Sequence, residues 1–125
     1  MNTILKNKKI LIALGIVAVI LVVFLVMLFT VKPRVVGVWQ GEITYLEKYG
    51  CNTIRTIEFE SDGEATKVLM NAKTGSILSV ESGYWNVSGF EASFREPGES
   101  GRIVYDFNAI TGTLKNGDNT YKKIN

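Results

Sequence analysis

Two hydrophobic patterns divide the chain. From Ile10 to Val31 there are 22 consecutive residues without a charge, and as a helix this run is ~33 Å long, enough to cross a hydrocarbon core of ~30 Å. A cleaved signal peptide has a shorter apolar core, typically ~7–15 residues, followed by a small-x-small site. Here the residues before Pro33 are bulky, so an uncleaved signal anchor is expected. From residue 35 onward the continuous run gives way to short apolar/polar alternations with no helical period, broken by turn signals every ~8–12 residues as in an antiparallel meander.

The turn signals are Lys48-Tyr49-Gly50, Ser61-Asp62-Gly63, Lys73-Thr74-Gly75, Ser82-Gly83, Ser88-Gly89, Pro97-Gly98 and Asn116-Gly117-Asp118. Asp-Gly and Asn-Gly supply the positive φ that tight hairpins need. Between them strands are expected near 36–46, 53–60, 65–71, 77–81, 84–88, 90–95, 102–108, 110–115 and 119–124. The seventh and eighth form either a hairpin about Asn108-Ala109 or one longer strand bulged at Gly112. Eight or nine short strands must hide their edges, and a small closed barrel does so economically.

Side-chain parity gives an interior. In the first strand Gly37, Trp39, Gly41, Ile43 and Tyr45 share one face, opposite Gln40, Glu42 and Thr44. Arg55, Ile57 and Phe59 take the same face in the second strand. Trp85 and Val87, then Phe90, Ala92 and Phe94, then Ile103, Tyr105 and Phe107 continue the set. In "GVWQGEI" the glycines beside Trp39 are expected to leave room for the indole to lie across the barrel floor and to let the strand coil sharply.

These motifs stand in a definite order: "GVWQG", then "IEFESDGEA", then "SGYWNVSG", then "TGTL" and a closing "TYKKI". The order resembles bacterial lipocalin-like domains of the calycin type, in which an early G-x-W opens an up-and-down barrel. The resemblance covers residues 35–125 and implies an all-β fold, a small antiparallel up-and-down barrel of 8–9 strands, preceded here by one transmembrane helix. It also implies a small apolar or amphipathic ligand, and an arginine stacked on the tryptophan, a role that falls to Arg55 unless its guanidinium meets an anionic ligand instead. The strands are shorter than in true lipocalins and no helix follows the barrel, so an open calyx is not implied.

Charge sets the expected topology. Lys6, Lys8 and Lys9 precede the apolar run and only Lys32 and Arg34 follow it closely, which favours a cytoplasmic N-terminus and an extracytoplasmic domain. The expected organisation is a basic cytoplasmic segment 1–9, a transmembrane helix 10–31, a short linker 32–34 and the barrel domain 35–125. That domain carries nine basic against twelve acidic side chains, a net −3, which disfavours nucleic-acid binding.

Chemistry is sparsely provided. The chain has no histidine, which removes His-based acid/base catalysis, Ser-His-Asp triads and most zinc sites. A single cysteine, Cys51, removes internal disulfides and thiolate clusters and leaves a buried or free thiol or a link to another chain. The acidic run Glu58, Glu60, Asp62, Glu64 lacks the spacing of a calcium loop and reads as a solvated strand face around a turn. No catalytic residue, metal or cofactor is expected.

The expected function is therefore a non-enzymatic, membrane-anchored binding or interaction module. The candidate ligand-binding residues, at the lumen or mouth, are Trp39, Tyr45, Arg55, Trp85 and Tyr105. The same aromatics also serve as the bulk that a core of ~90 residues needs. The alternative is a protein–protein partner, an inhibitor or immunity-type protein or an accessory subunit of a membrane complex, with Val36, Val38 and Ile54 on the outer wall.

Overall fold

The computed structural model describes the backbone of residues 2–125 and the side chains of residues 8–125. The chain forms two compact units, one up to Thr30 and the other Val31–Asn125. The first is a single helix, α1 (Asn2–Phe29), whose stretch Lys8–Phe29 is long and apolar enough to cross a membrane or to act as a signal sequence. It is apolar on all sides: Leu11, Ile16, Val19 and Ile20 are each more than half exposed, which suits a lipid solvent rather than water. Pro33 has no N–H to donate to the Phe29 carbonyl, so the helix stops there, and the Thr30 hydroxyl turns back onto the Val26 and Met27 carbonyls at 2.8 and 3.1 Å.

The second unit begins with a short helix, α2 (Val31–Val35), where a linker was expected. Nine strands follow: β1 (Gly37–Gln40), β2 (Thr44–Leu46), β3 (Cys51–Phe59), β4 (Glu64–Asn71), β5 (Ile77–Ser88), β6 (Glu91–Arg95), β7 (Ile103–Asn108), β8 (Thr113–Asn116) and β9 (Asn119–Lys123). All neighbours are antiparallel. Pairing of β1 with both β9 and β3 closes eight strands into a barrel, and β2 is an extra strand on β3. The seam is completed by the last residues: the Val38 N–H donates to the Asn125 carbonyl at 3.0 Å and the Ile124 N–H to the Val38 carbonyl at 2.9 Å.

Helix α2 stoppers the end of the barrel at which β1 begins. Val31 and Val35 lie four residues apart, hence on one face of a single turn, and both are completely buried with Trp39, Phe59, Phe107 and Leu114. The indole Nε1–H of Trp39 donates to the Val35 carbonyl at 2.7 Å, satisfying a group at the C-terminal end of the helix that has no partner within it. Lys123 Nζ reaches the Arg34 carbonyl at 3.1 Å, and the Arg34 guanidinium lies 4.9 Å from the Phe107 ring centroid. The core residues supplied by the strands include Ile57, Phe59, Trp85, Ala92, Phe94, Tyr105 and Phe107, all in the parity-derived interior, joined by Ala65, Leu114 and Tyr121.

The expected first strand, 36–46, is broken, and the break reverses its parity. Gln40 stands opposite Thr56, yet Thr44 stands opposite Thr53, so three residues on the first strand face two on β3. This is a bulge, and one extra residue sends every later side chain to the other face. Ile43 and Tyr45 therefore point outward, 64% and 59% exposed, whereas Thr53, paired with Thr44, is buried and donates its hydroxyl to the Thr44 carbonyl at 2.7 Å.

The glycines beside Trp39 act through other neighbours than the indole. A Cβ on Gly41 would come within 2.9 Å of the Tyr121 ring, and one on Gly37 would meet the Lys123 side chain and the Asn125 carbonyl. They make room for the closing strand. Ser82-Gly83, expected as a turn, lies inside β5, which pairs with β4 up to Tyr84 and with β6 from Tyr84 onward. A Cβ on Gly83 would strike the Arg95 carbonyl, so this glycine permits close strand approach and marks no turn. Phe90 falls in the β5–β6 turn, and β7 and β8 form a hairpin in which Asn108 Oδ1 accepts the Ile110 and Thr111 N–H groups at 3.0 and 3.1 Å.

Candidate functional site

Register places the polar interior residues at the end of the barrel opposite α2. Strand β9 runs from Asn119 at the β8–β9 hairpin to Lys123 beside Trp39, so the hairpin end lies away from the stopper. Here the barrel interior opens into a cavity of about 500 Å³. That is within the range of small-molecule sites, roughly 300–1,000 Å³.

Its walls come from six strands. Strand β3 contributes Arg55 and Ile57, and the paired β4 contributes Lys67 and Leu69. Ser79 and Glu81 come from β5, and Ile103 and Tyr105 from β7. Asn116 and Asn119 flank the β8–β9 turn, Tyr121 lies below them on β9, and Lys48 and Tyr49 of the β2–β3 turn stand at the rim. The floor is aromatic: Tyr121 meets Tyr105 edge-on at 5.5 Å between centroids, Tyr105 meets Phe59 at 6.0 Å, and Phe59 meets Trp85 at 5.0 Å.

Lys67 and Glu81 are directly paired across β4 and β5, with Nζ 2.9 Å from a carboxylate oxygen, and Lys67 also lies 5.0 Å from the Phe94 ring centroid. The hydrogen bond from Lys67 holds the Glu81 carboxyl below the ordinary carboxylate value, against partial desolvation. Glu96, which shares a hydrogen bond and like charge with Glu81, is raised. Burial is the main reason that Tyr105 and Tyr121 ionise above the ordinary phenol value, while the positive charge of Arg55 opposes the rise at both.

Of the five residues expected to bind a ligand, only Arg55 and Tyr105 line this cavity. Trp39 is held to α2 beneath it. Trp85 is buried beside Phe59, with its Nε1–H donated to the Glu60 carbonyl at 2.7 Å. Tyr45 is on the outer wall because of the bulge. Arg55 faces its cavity rather than stacking on Trp39; the cations over aromatic rings at the α2 end are Arg34, over Phe107, and Lys32, 6.0 Å from the Trp85 ring centroid.

Lys67, Glu81 and Tyr121 escaped the sequence reading, although parity marks them. Lys67 alternates in phase with buried Ala65, Glu81 is in phase with Trp85, and Tyr121 lies within the closing "TYKKI". Elsewhere, Glu60, Asp62 and Glu64 bring carboxylate oxygens within 4.8 Å of one another at the β3–β4 turn. Asp62 Oδ1 there accepts the Glu64 N–H at 2.9 Å, as a turn aspartate does, and Glu60 is raised by desolvation and its acidic neighbours. No protein-family model, no curated protein and no solved structure matches the chain.

Proposed function

We propose that residues 31–125 are a non-enzymatic binding domain of the bacterial lipocalin-like kind, held at the extracytoplasmic face of a membrane by α1, which takes a small amphipathic ligand into the open half of its barrel. The carrying observation is the cavity of about 500 Å³ above a fully packed floor. A barrel whose strands served only to bury a core would fill both ends. This one is stoppered at one end by Val31 and Val35 and left polar and hollow at the other. The absence of histidine leaves the cavity without the commonest acid/base residue, consistent with holding a molecule rather than transforming it.

Native mass spectrometry of the full-length protein released from detergent tests the binding reading. A retained small molecule of defined mass supports it, and a bare chain that also shows no saturable response to a ligand panel refutes it. Topology is tested separately with a cysteine placed in the β8–β9 turn, Asp118→Cys in a Cys51→Ser background. Labelling of intact cells by a membrane-impermeant maleimide is expected, and protection until lysis would overturn the extracytoplasmic assignment.

A second reading, a protein–protein partner, has one observation in its favour. The outer face of β5 exposes Ile77, Val80 and Tyr84, each more than half accessible, whereas Val36, Val38 and Ile54 are half-buried. A photo-crosslinker at Val80 that captures one protein in stoichiometric yield would support it.

A further inference from the structure

Two tyrosines present free donors to the cavity. Tyr105 and Tyr121 are 3% and 4% exposed and line it, and their hydroxyls make no hydrogen bond among the described residues. With their rings buried and their hydroxyls open to the hollow, both are placed to donate to a polar guest.

The charge of the lining gives the sign of that guest. The charged lining residues are Lys48, Arg55, Lys67 and Glu81, a net +2 in a domain whose net charge is −3. Lys67 is committed to Glu81, and theirs is the one salt bridge among the described residues. Arg55 therefore faces the interior, by its register with Ile57 and Phe59, without a carboxylate to neutralise it. A partly buried guanidinium presents a planar fork of donors suited to a carboxylate or phosphate.

We propose that the cavity binds a compact organic oxyanion, a carboxylate or phosphate monoester, with Arg55 as its counter-ion and the hydroxyls of Tyr105 and Tyr121 as neutral donors. The assignment rests on the reading of the domain as a ligand-binding barrel and narrows it to a chemical class. Arg55 already acts electrostatically on both tyrosines, so the three groups converge on one region. Both hydroxyls remain protonated at neutral pH and can donate. The guest is compact for a physical reason. Directly under the tyrosines the barrel is filled by Phe59, Phe94 and Trp39, and most of the surrounding wall is polar, so no apolar channel is left for a long acyl chain. Apolar contact is limited to Ile57, Leu69 and Ile103, enough for a ring or a short alkyl group.

The test is isothermal titration of the full-length protein in nonionic micelles with benzoate, phenyl phosphate, neutral benzamide and neutral 1-naphthol, each corrected against empty micelles. At least one anion is expected to bind one-to-one, at least about tenfold tighter than benzamide, and the better of the two identifies the headgroup. Arg55→Gln should weaken that anion by about tenfold or more, with Arg55→Lys intermediate, while the ligand-free melting temperature stays within a few degrees. Tyr105→Phe and Tyr121→Phe should each cost a severalfold loss. Equal binding of benzoate and benzamide, or unchanged anion affinity in Arg55→Gln, overturns the oxyanion assignment. Saturable binding of 1-naphthol alone overturns it and leaves the ligand-binding reading standing; no saturable binding of any probe removes both.

Discussion

Replacing Trp39 by phenylalanine isolates the fastening of α2 to the barrel. The indole is 1% exposed, and its Nε1–H holds the Val35 carbonyl at 2.7 Å. Phenylalanine keeps an aromatic ring in contact range of Phe107, now 6.4 Å away edge-on, but removes the donor and part of the ring system. A buried carbonyl left unsatisfied costs about 1–3 kcal/mol. The missing volume, about 40 Å³, adds about 1 kcal/mol at ~24 cal/mol per Å³ of unrelaxed cavity. The expected loss is therefore about 2–4 kcal/mol, a large part of the total for a domain whose stability is on the order of 5–14 kcal/mol. At roughly 4–8 °C per kcal/mol, the melting temperature should fall by at least about 8 °C. The assay is near-ultraviolet circular dichroism of the full-length protein in nonionic micelles, where the barrel aromatics report tertiary structure and α1 contributes nothing as large. Tyr45→Ala, on the outer wall, is the control and should stay within about 0.5 kcal/mol. A fall of under about 4 °C in Trp39→Phe would show that the indole bond does not fasten the stopper, and the account of that end of the barrel would fail.

Further outcomes follow from the closing strand and the titrating groups. Gly41→Ala places a methyl 2.9 Å from the Tyr121 ring and should cost about 1–3 kcal/mol by overpacking, read from the same melting curves. Tyr105 and Tyr121 have folded ionisation values raised above the ordinary phenol value of 10.0, so the stability they carry is complete below pH 10 and is lost as pH rises beyond it. Spectrophotometric titration at 295 nm should show two tyrosines ionising late, with unfolding, and Tyr105→Phe should remove one of them and lessen the alkaline loss. Glu81 is lowered by Lys67, so its contribution is present above the unfolded carboxyl value of 4.5 and lost as pH falls through the folded one. The side chain is 44% exposed, so Lys67→Met should reduce this acid sensitivity by less than about 1 kcal/mol, seen by comparing melts at pH 7 and pH 3.

The barrel was legible because alternation and turn chemistry are local properties. Phe59, Trp85, Phe94 and Phe107 could be assigned inward by counting residues from a turn, and their burial follows that count. What counting missed was a change of phase without a turn signal. The extra residue between Gln40 and Thr44 is specified by pairing with β3, thirteen or so residues away along the hairpin, and Gly41-Glu42-Ile43 contains nothing that distinguishes a bulge from a straight strand. Gly83 misled in the opposite sense, because close approach to Arg95 and a turn both ask for the same residue. The site was half legible. Arg55 announced itself as a charge in phase with Ile57 and Phe59, whereas Lys67 and Glu81 escaped notice, and their mutual ion pair depends on the β4–β5 register. The short helix at Val31–Val35 was hidden by Pro33, which reads as a breaker and sits instead in a first turn where its missing N–H costs nothing.

The seam between β1 and β9 joins Val38 to residues 124 and 125, so the first strand of the barrel waits for the last. Every other pairing, apart from β1 with β3, links strands adjacent in the chain and can form as each hairpin is made. During synthesis the sheet therefore exists as an open ribbon with Trp39 along one free edge and, once β8 has formed, Leu114 next to the other. Its time of greatest vulnerability to edge-to-edge association is the interval before residues 119–125 emerge. Until that stretch pairs with β1, both edges of the ribbon stay open to other strands.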